Sequence, residues 1–258
     1  MAVVVYLVLA MMLQQATSLP KILCLHGGGQ PASGFQAMPG MASLQSSLSS
    51  TFEFVFAQTP ESGYVWIRDP PGGKGTATTD TNWASASVTY LNTLVQNQGP
   101  FSGILGYSQG AAMSIYYLSQ VATGTFQFAV LFCGYLPTTH TGLLQSINTQ
   151  SPFGGINTLV FMGQNDAVIT NTMTLDAAAK FTSPTQVTSS VAAHNPPETC
   201  DSTFNQVLSF LTTAAGTSTI TAAPSTACKG TSAARQLYRI SSLVVFGLLF
   251  VTMSSTSA

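Results

Sequence analysis

The chain has 258 residues, 45% of them apolar and only 6% charged, with seven Lys and Arg against eight Asp and Glu for a formal net charge of -1. So few cations cannot build the basic footprint that phosphate neutralisation demands, so nucleic acid is excluded as a partner. The apolar fraction excludes an electrostatically solvated disordered chain, and the length suits one medium domain or two small ones with ample material for a core.

The chain opens on an apolar run, MAVVVYLVLAMML, followed by small residues at Ala16 and Ser18. That is the pattern of a cleavable secretory signal over residues 1–18, although its start carries no Lys or Arg. Residues 19–212 alternate apolar runs with helical stretches and form the expected catalytic domain. Strands are expected at 21–25, 53–57, 103–106, 128–133, 158–162 and, more weakly, 185–190. Several are unbroken apolar runs, as strands covered on both faces are. Helices are expected at 83–98, where Val88, Leu91, Leu94 and Val95 recur on one face, at 109–122, around Asp176, and at 204–212. Strands separated by helices imply βαβ units and a mostly parallel central sheet with helices on both faces. Residues 59–82 are rich in Gly, Pro and Thr, a loop long enough to be a lid or a pocket wall.

Beyond the domain, residues 213–242 form a low-complexity linker rich in Ser, Thr and Ala. A hydrophobic tail follows over 243–258. Its apolar run, Leu243 to Met253, falls short of the ~20 residues that span a bilayer. It suits a GPI-anchor signal with attachment near Gly230, Thr231 or Ser232, or a membrane-associated segment. The expected location is therefore the secretory pathway, with the protein secreted or anchored at the cell surface through the tail. Cys24 and Cys133 lie in apolar runs, as buried thiols do, whereas Cys200 and Cys228 stand in polar sequence and are able to pair in an oxidising compartment. No spacing resembles a metal site.

The sharpest feature is Gly106-Tyr107-Ser108-Gln109-Gly110, a G-x-S-x-G pentapeptide between an apolar strand and a helix. There the chemistry needs a serine hydroxyl standing clear of a strained turn, small flanking residues, and a helix N-terminus aimed at developing negative charge. A serine needs a base, and this motif takes its acid and then its histidine later in the chain. Of His26, His140 and His194, the first precedes the serine and the second reads as a solvated loop residue, which leaves His194 as the base. Asp166, at the end of a strand, is the acid. Asp176 lies within a helix and suits an i+4 pair with Lys180, and Glu198 and Asp201 follow the histidine. His26-Gly27-Gly28-Gly29 after the first strand gives a Gly28 N–H which, with the Gln109 N–H, forms the expected oxyanion hole. Tyr64, Trp66 and Trp83 are the candidate pocket lining.

Taken together, KILCLHGGGQ, GPFSGILGYSQGAA, CGYLP, FMGQNDAVI and the late His-Asn-Pro resemble the FSH family of serine hydrolases, an α/β-hydrolase group, over about residues 19–211. The resemblance implies the α/β-hydrolase fold, hydrolysis of carboxylic esters without a cofactor, and Ser108, Asp166 and His194 as the triad. It departs from that family in Ala192-Ala193, where Gly-Gly is usual. A secreted cutinase-like or lipase-like hydrolase, a thioesterase, or a non-catalytic surface binding protein on the same fold are the other readings. Residues 19–212 hold four cations and eight acids, which favours small, neutral ester substrates.

Overall fold

The computed structural model describes residues 18–216. The expected signal segment, the linker beyond 216, Cys228 and the apolar tail lie outside the described residues. Six strands form at the hydrophobic runs: β1 (Lys21–Leu25), β2 (Glu53–Ala57), β3 (Phe101–Tyr107), β4 (Phe128–Phe132), β5 (Asn157–Gly163) and β6 (Thr185–Ser189). All pairs are parallel, in the order β2-β1-β3-β4-β5-β6. The central runs behave as unbroken apolar strands should: β4 is buried at every residue, and β5 at all but its first. The edge strands EFVFA and TQVTS are only partly covered.

Six α-helices lie between the described strands and a seventh follows β6: α1 (Ala32–Gln36), α2 (Pro39–Ser47), α3 (Ser85–Gln98), α4 (Gln109–Leu118), α5 (Thr141–Gln150), α6 (Asn171–Ala178) and α7 (Phe204–Ala214). The two-residue period of the strands sorts their side chains into two layers. Leu23, Ile104, Ala129 and Leu131 pack with Leu91 and Leu94 of α3, Ile115 of α4, Ile147 of α5 and Ala177 of α6. Ile22, Leu105, Val130, Phe132 and Phe161 pack instead with Phe35 of α1, Met41 and Leu44 of α2, and Leu208 and Leu211 of α7. Each Leu, Ile, Val, Phe or Met among them, once fully buried, stabilises the fold by about 1.5–3 kcal/mol.

The expected helices are present, with α4 ending at Leu118 and a 3₁₀ turn, Thr81–Ala84, leading into α3. Helices α1, α2 and α5 were not expected. The loop after β1 leads to α1 on one face, and the loop after β3 leads to α4 on the other. Their divergence opens a crevice at the carboxyl ends of β1 and β3, the topological switch point where open α/β sheets bind ligands.

Candidate active site

Ser108 stands at that crevice, between β3 and α4, with φ 54° and ψ -119°. A non-glycine residue tolerates this conformation only where its surroundings impose it. Two of those constraints are close backbone approaches. A Cβ on Gly106 would lie 2.5 Å from the Gly110 carbonyl oxygen, and one on Gly110 would lie 2.2 Å from the Leu25 carbonyl oxygen. The elbow therefore needs both glycines. The Ser108 N–H donates to the Phe132 carbonyl at 2.9 Å, tying the turn to β4.

The structure brings His194 and Asp166 to this serine. His194 Nδ1 lies 2.7 Å from Asp166 Oδ2, and its Nε2 lies 2.9 Å from Ser108 Oγ. A carboxylate only accepts, so Nδ1 carries the proton and Nε2 is left to accept the Ser108 hydroxyl. The other Asp166 oxygen, Oδ1, accepts the Val168 N–H at 2.8 Å and the Ile169 N–H at 2.9 Å. The Asp166 side chain is 1% exposed and that of His194 12%. Burial pushes the Asp166 carboxyl up, but the His194 hydrogen bond and charge and the two N–H groups outweigh it, holding the group below its ordinary 3.8.

On the other side of Ser108 runs the loop after β1. A Cβ on Gly28 would lie 3.1 Å from Gln109 Oε1, so this loop lies against the start of α4. Among the described residues neither the Gly28 N–H nor the Gln109 N–H has a hydrogen-bond partner. His26 is a buried structural residue here. Its Nδ1–H donates to the Gly27 carbonyl at 2.8 Å and its Nε2 accepts the Thr59 N–H at 3.2 Å. Burial lowers its pKa below 6.5, with the Gly27 hydrogen bond pulling the other way.

Residues 59–82 form a riveted wall. Gln109 Oε1 accepts the Trp66 N–H at 2.7 Å and Gln109 Nε2 donates to the Ile67 carbonyl at 3.0 Å. Trp66 Nε1 donates to the His26 carbonyl at 2.8 Å, and Ser87 Oγ to the Trp66 carbonyl at 2.7 Å. Trp66 is thus a core residue with no exposed surface, not pocket lining. Its large apolar ring turns inward because the indole N–H finds an acceptor there. Trp83 is half-buried, under the Arg68 guanidinium at 5.2 Å and with Nε1 donating to Thr78 Oγ1. Tyr64 alone of the three aromatics is well exposed, and its carbonyl accepts the Gly29 N–H. His140 also differs from expectation: it is 4% exposed, and its Nε2–H donates to the Arg68 carbonyl at 2.8 Å. A partly buried main-chain carbonyl of the wall takes its donor from His140.

Sequence reasoning set Asp201 aside because it follows the histidine, and its structural role was missed. It is buried, accepts the Ser189 hydroxyl, and takes the Thr203 N–H on its other oxygen. Ser189 Oγ in turn accepts the Val191 and Ala192 N–H groups, fixing the start of the segment that carries His194. The scarcity of acids that singled out Asp166 was the available signal for Asp201. Cys133, Asp166 and His194 offer metal-binding atoms within 4.8 Å of one another, the one such group among the described residues. The Asp166 oxygens are engaged as above, and burial, with the Asp166 charge, pushes the Cys133 thiol up, so this set fits a hydrogen-bonded site and not a metal centre. Cys24 and Cys133 are free thiols, whereas Cys200 is disulfide-bonded.

The model of the family described as Serine hydrolase (FSH1) matches residues 57–203, more than half of the chain. Rhodanese-like domain-containing protein 6 of Arabidopsis thaliana is 34% identical over 153 residues, covering 45% of this chain and 26% of that protein. Esterase FUS5 of Gibberella moniliformis is 30% identical over 142 residues, covering 46% of this chain and 58% of the esterase. The chain thus spans less than two thirds of the length of these relatives. Acyl-protein thioesterase 2 of Zea mays has a TM-score of 0.55 at 18% identity, over 78% of this chain and 96% of that one. At that identity the likeness is one of fold, and the fold is the α/β-hydrolase fold that the sequence implies.

Proposed function

Because the chain belongs to the FSH1 serine hydrolase family, we propose that it is a serine esterase that hydrolyses small, neutral carboxylic esters through an acyl-enzyme on Ser108. The observation that carries this reading is the unbroken hydrogen-bond chain from Ser108 Oγ through His194 to Asp166, at 2.9 and 2.7 Å. His194 takes the serine proton as Oγ attacks the carbonyl carbon, and Asp166 stabilises the imidazolium and fixes its tautomer. The oxyanion forms toward the Gly28 and Gln109 N–H groups at the positive end of α4. His194 returns its proton to the departing alcohol. A water then repeats the sequence on the acyl-enzyme, releasing the acid and restoring Ser108.

A fluorophosphonate probe tests this directly. It is expected to label Ser108, and Ser108→Ala is expected to lose both labelling and ester hydrolysis; labelling that survives the substitution refutes the assignment. A panel of esters of rising acyl length, with thioesters included, separates ester from thioester preference. The cutinase-like alternative expects two disulfides, and the two free thiols among four cysteines speak against it. For location we propose the secretory pathway. The apolar N-terminal run and the Cys200 disulfide support it, since disulfides persist in oxidising compartments. Mass spectrometry of the mature termini tests it: an intact Met1 with a free Ala258 refutes both processing and anchoring.

A further inference from the structure

His194 is held through its main chain as well as its ring. The segment that carries it, residues 190–197, presents three successive carbonyls to buried side chains at the ends of β3 and β4. Tyr107 Oη donates to the His194 carbonyl at 2.7 Å. Cys133 Sγ stands 3.9 Å from both the Ala193 and the Asn195 carbonyl oxygens. These grips are unequal. A phenol O–H at 2.7 Å is a full-strength hydrogen bond, whereas a thiol at 3.9 Å is a weak donor.

The Tyr107 ring has little freedom to move. It stacks on Phe35 at 5.6 Å and 13°, lies 5.1 Å from the His194 ring, and is 6% exposed. From above, Gly27 closes on it so tightly that a Cβ there would stand 3.0 Å from the ring. Tyr107 is also the residue before Ser108. Two consecutive residues of one strained elbow therefore grip a single histidine, Ser108 at the imidazole and Tyr107 at the carbonyl. The distance between nucleophile and base is set by a closed loop of bonds anchored on β3.

We propose that Tyr107 is a positioning residue for His194, its hydroxyl fixing the height of the imidazole above Ser108 through the His194 carbonyl. The inference rests on the esterase reading above. An error of about 1 Å in such a geometry lowers a rate by about 10²-fold, and losing one of several anchors is a smaller disturbance.

The test is Tyr107→Phe, which keeps the ring contacts and removes only the hydroxyl. Active sites are counted by end-point fluorophosphonate labelling, so that unfolded protein does not enter the rate. The expected result is a kcat lower by about tenfold with KM within about twofold, a split that marks a loss confined to the chemical step. Ser108 phosphonylation is expected to slow by a similar factor, and the far-downfield proton resonance of His194 Nδ1–H to move. A kcat per labelled site equal to wild type overturns the proposal, as does a loss carried by KM, or a slower enzyme whose Nδ1–H resonance has not moved. Wild-type protein that never labels defeats the esterase reading itself, and the proposal with it.

Discussion

The wall that follows β2 and the segment that follows β6 reach Ser108 from opposite ends of the sheet order, and they are held down by different means. The wall is anchored by side chains of the core: Gln109, Ser87 and His140 each bond its backbone, and Trp66 buries its whole ring beneath it. The His194 segment buries few apolar groups. Polar anchors fix it through Ser189, Asp201 and Tyr107, and its backbone lies against the end of β5, where a Cβ on Gly163 would stand 2.3 Å from the Ala193 carbonyl oxygen. The difference follows from what each region does. A wall that only shapes a site is best made part of the core. A segment that offers an imidazole to substrate keeps one edge of that ring accessible, so it is positioned by hydrogen bonds and close backbone fit.

If this contrast holds, damage to the wall appears first as lost stability and damage to the His194 segment first as lost rate. The largest effect is expected from Trp66→Ala. Removing a fully buried indole costs about 3–5 kcal/mol, a large part of a typical net stability of about 5–15 kcal/mol; urea denaturation followed by fluorescence measures it. Gly163→Ala is expected to lower kcat by about 10²-fold, because the added methyl displaces the backbone beside His194. Its stability loss is expected to stay within about 1–3 kcal/mol, the usual range for overpacking. A Gly163→Ala enzyme with normal kcat per labelled site would erase the distinction between the two regions.

Much of this was legible before the fold was known, for identifiable reasons. An unbroken run such as FAVLF leaves a parallel strand no other place than the middle of the sheet. Ser108 was legible because its two glycines and its position between strand and helix are all local. His194 and Asp166 emerged because only three histidines and eight acids exist to choose from. Helices α2 and α5 escaped notice because PGMASLQSS and TGLLQSINTQ bury only three and two side chains or glycines respectively, too few to show a periodic stripe. The placements of Tyr107, Gly163 and Asp201 depend on which strands become neighbours, and no local pattern carries that. Trp66 looked like pocket lining because a loop aromatic does not reveal which way it turns.

Gln109 joins the elbow to the wall, since its backbone starts α4 beside Ser108 while its side chain bonds the wall. Gln109→Ala leaves the Trp66 N–H without its acceptor. The expected cost is about 1–3 kcal/mol, the desolvation of a group left unpaired. The backbone N–H remains, so ester hydrolysis per labelled site is expected to fall by no more than about tenfold. A loss far beyond that would mean that the wall, and not the N–H alone, holds the oxyanion geometry.

The smallest effect sharpens the contrast through pH. Burial holds His26 below its ordinary 6.5 against the pull of the Gly27 hydrogen bond. As the pH falls below about 6.5 the unfolded chain takes up a proton at His26 while the folded chain does not. The unfolded state then binds more protons, and stability declines. Asp166 acts lower on the scale. Despite burial its carboxyl lies below 3.8, so its stabilisation is present above that value and is lost as the pH falls through its folded pKa. The wall therefore loses support first and the His194 segment only in stronger acid. In thermal melts recorded across pH, His26→Gln is expected to flatten the decline just below 6.5, and Asp166→Asn the one below 3.8. Each slope is limited to about 1.4 kcal/mol per pH unit for a single group. A wild-type melting temperature that is level from pH 6.5 to 5 would mean that His26 accepts a proton inside the wall, where its Nε2 already receives the Thr59 N–H. The wall would then have to open at that point, and its description as part of the core would fail.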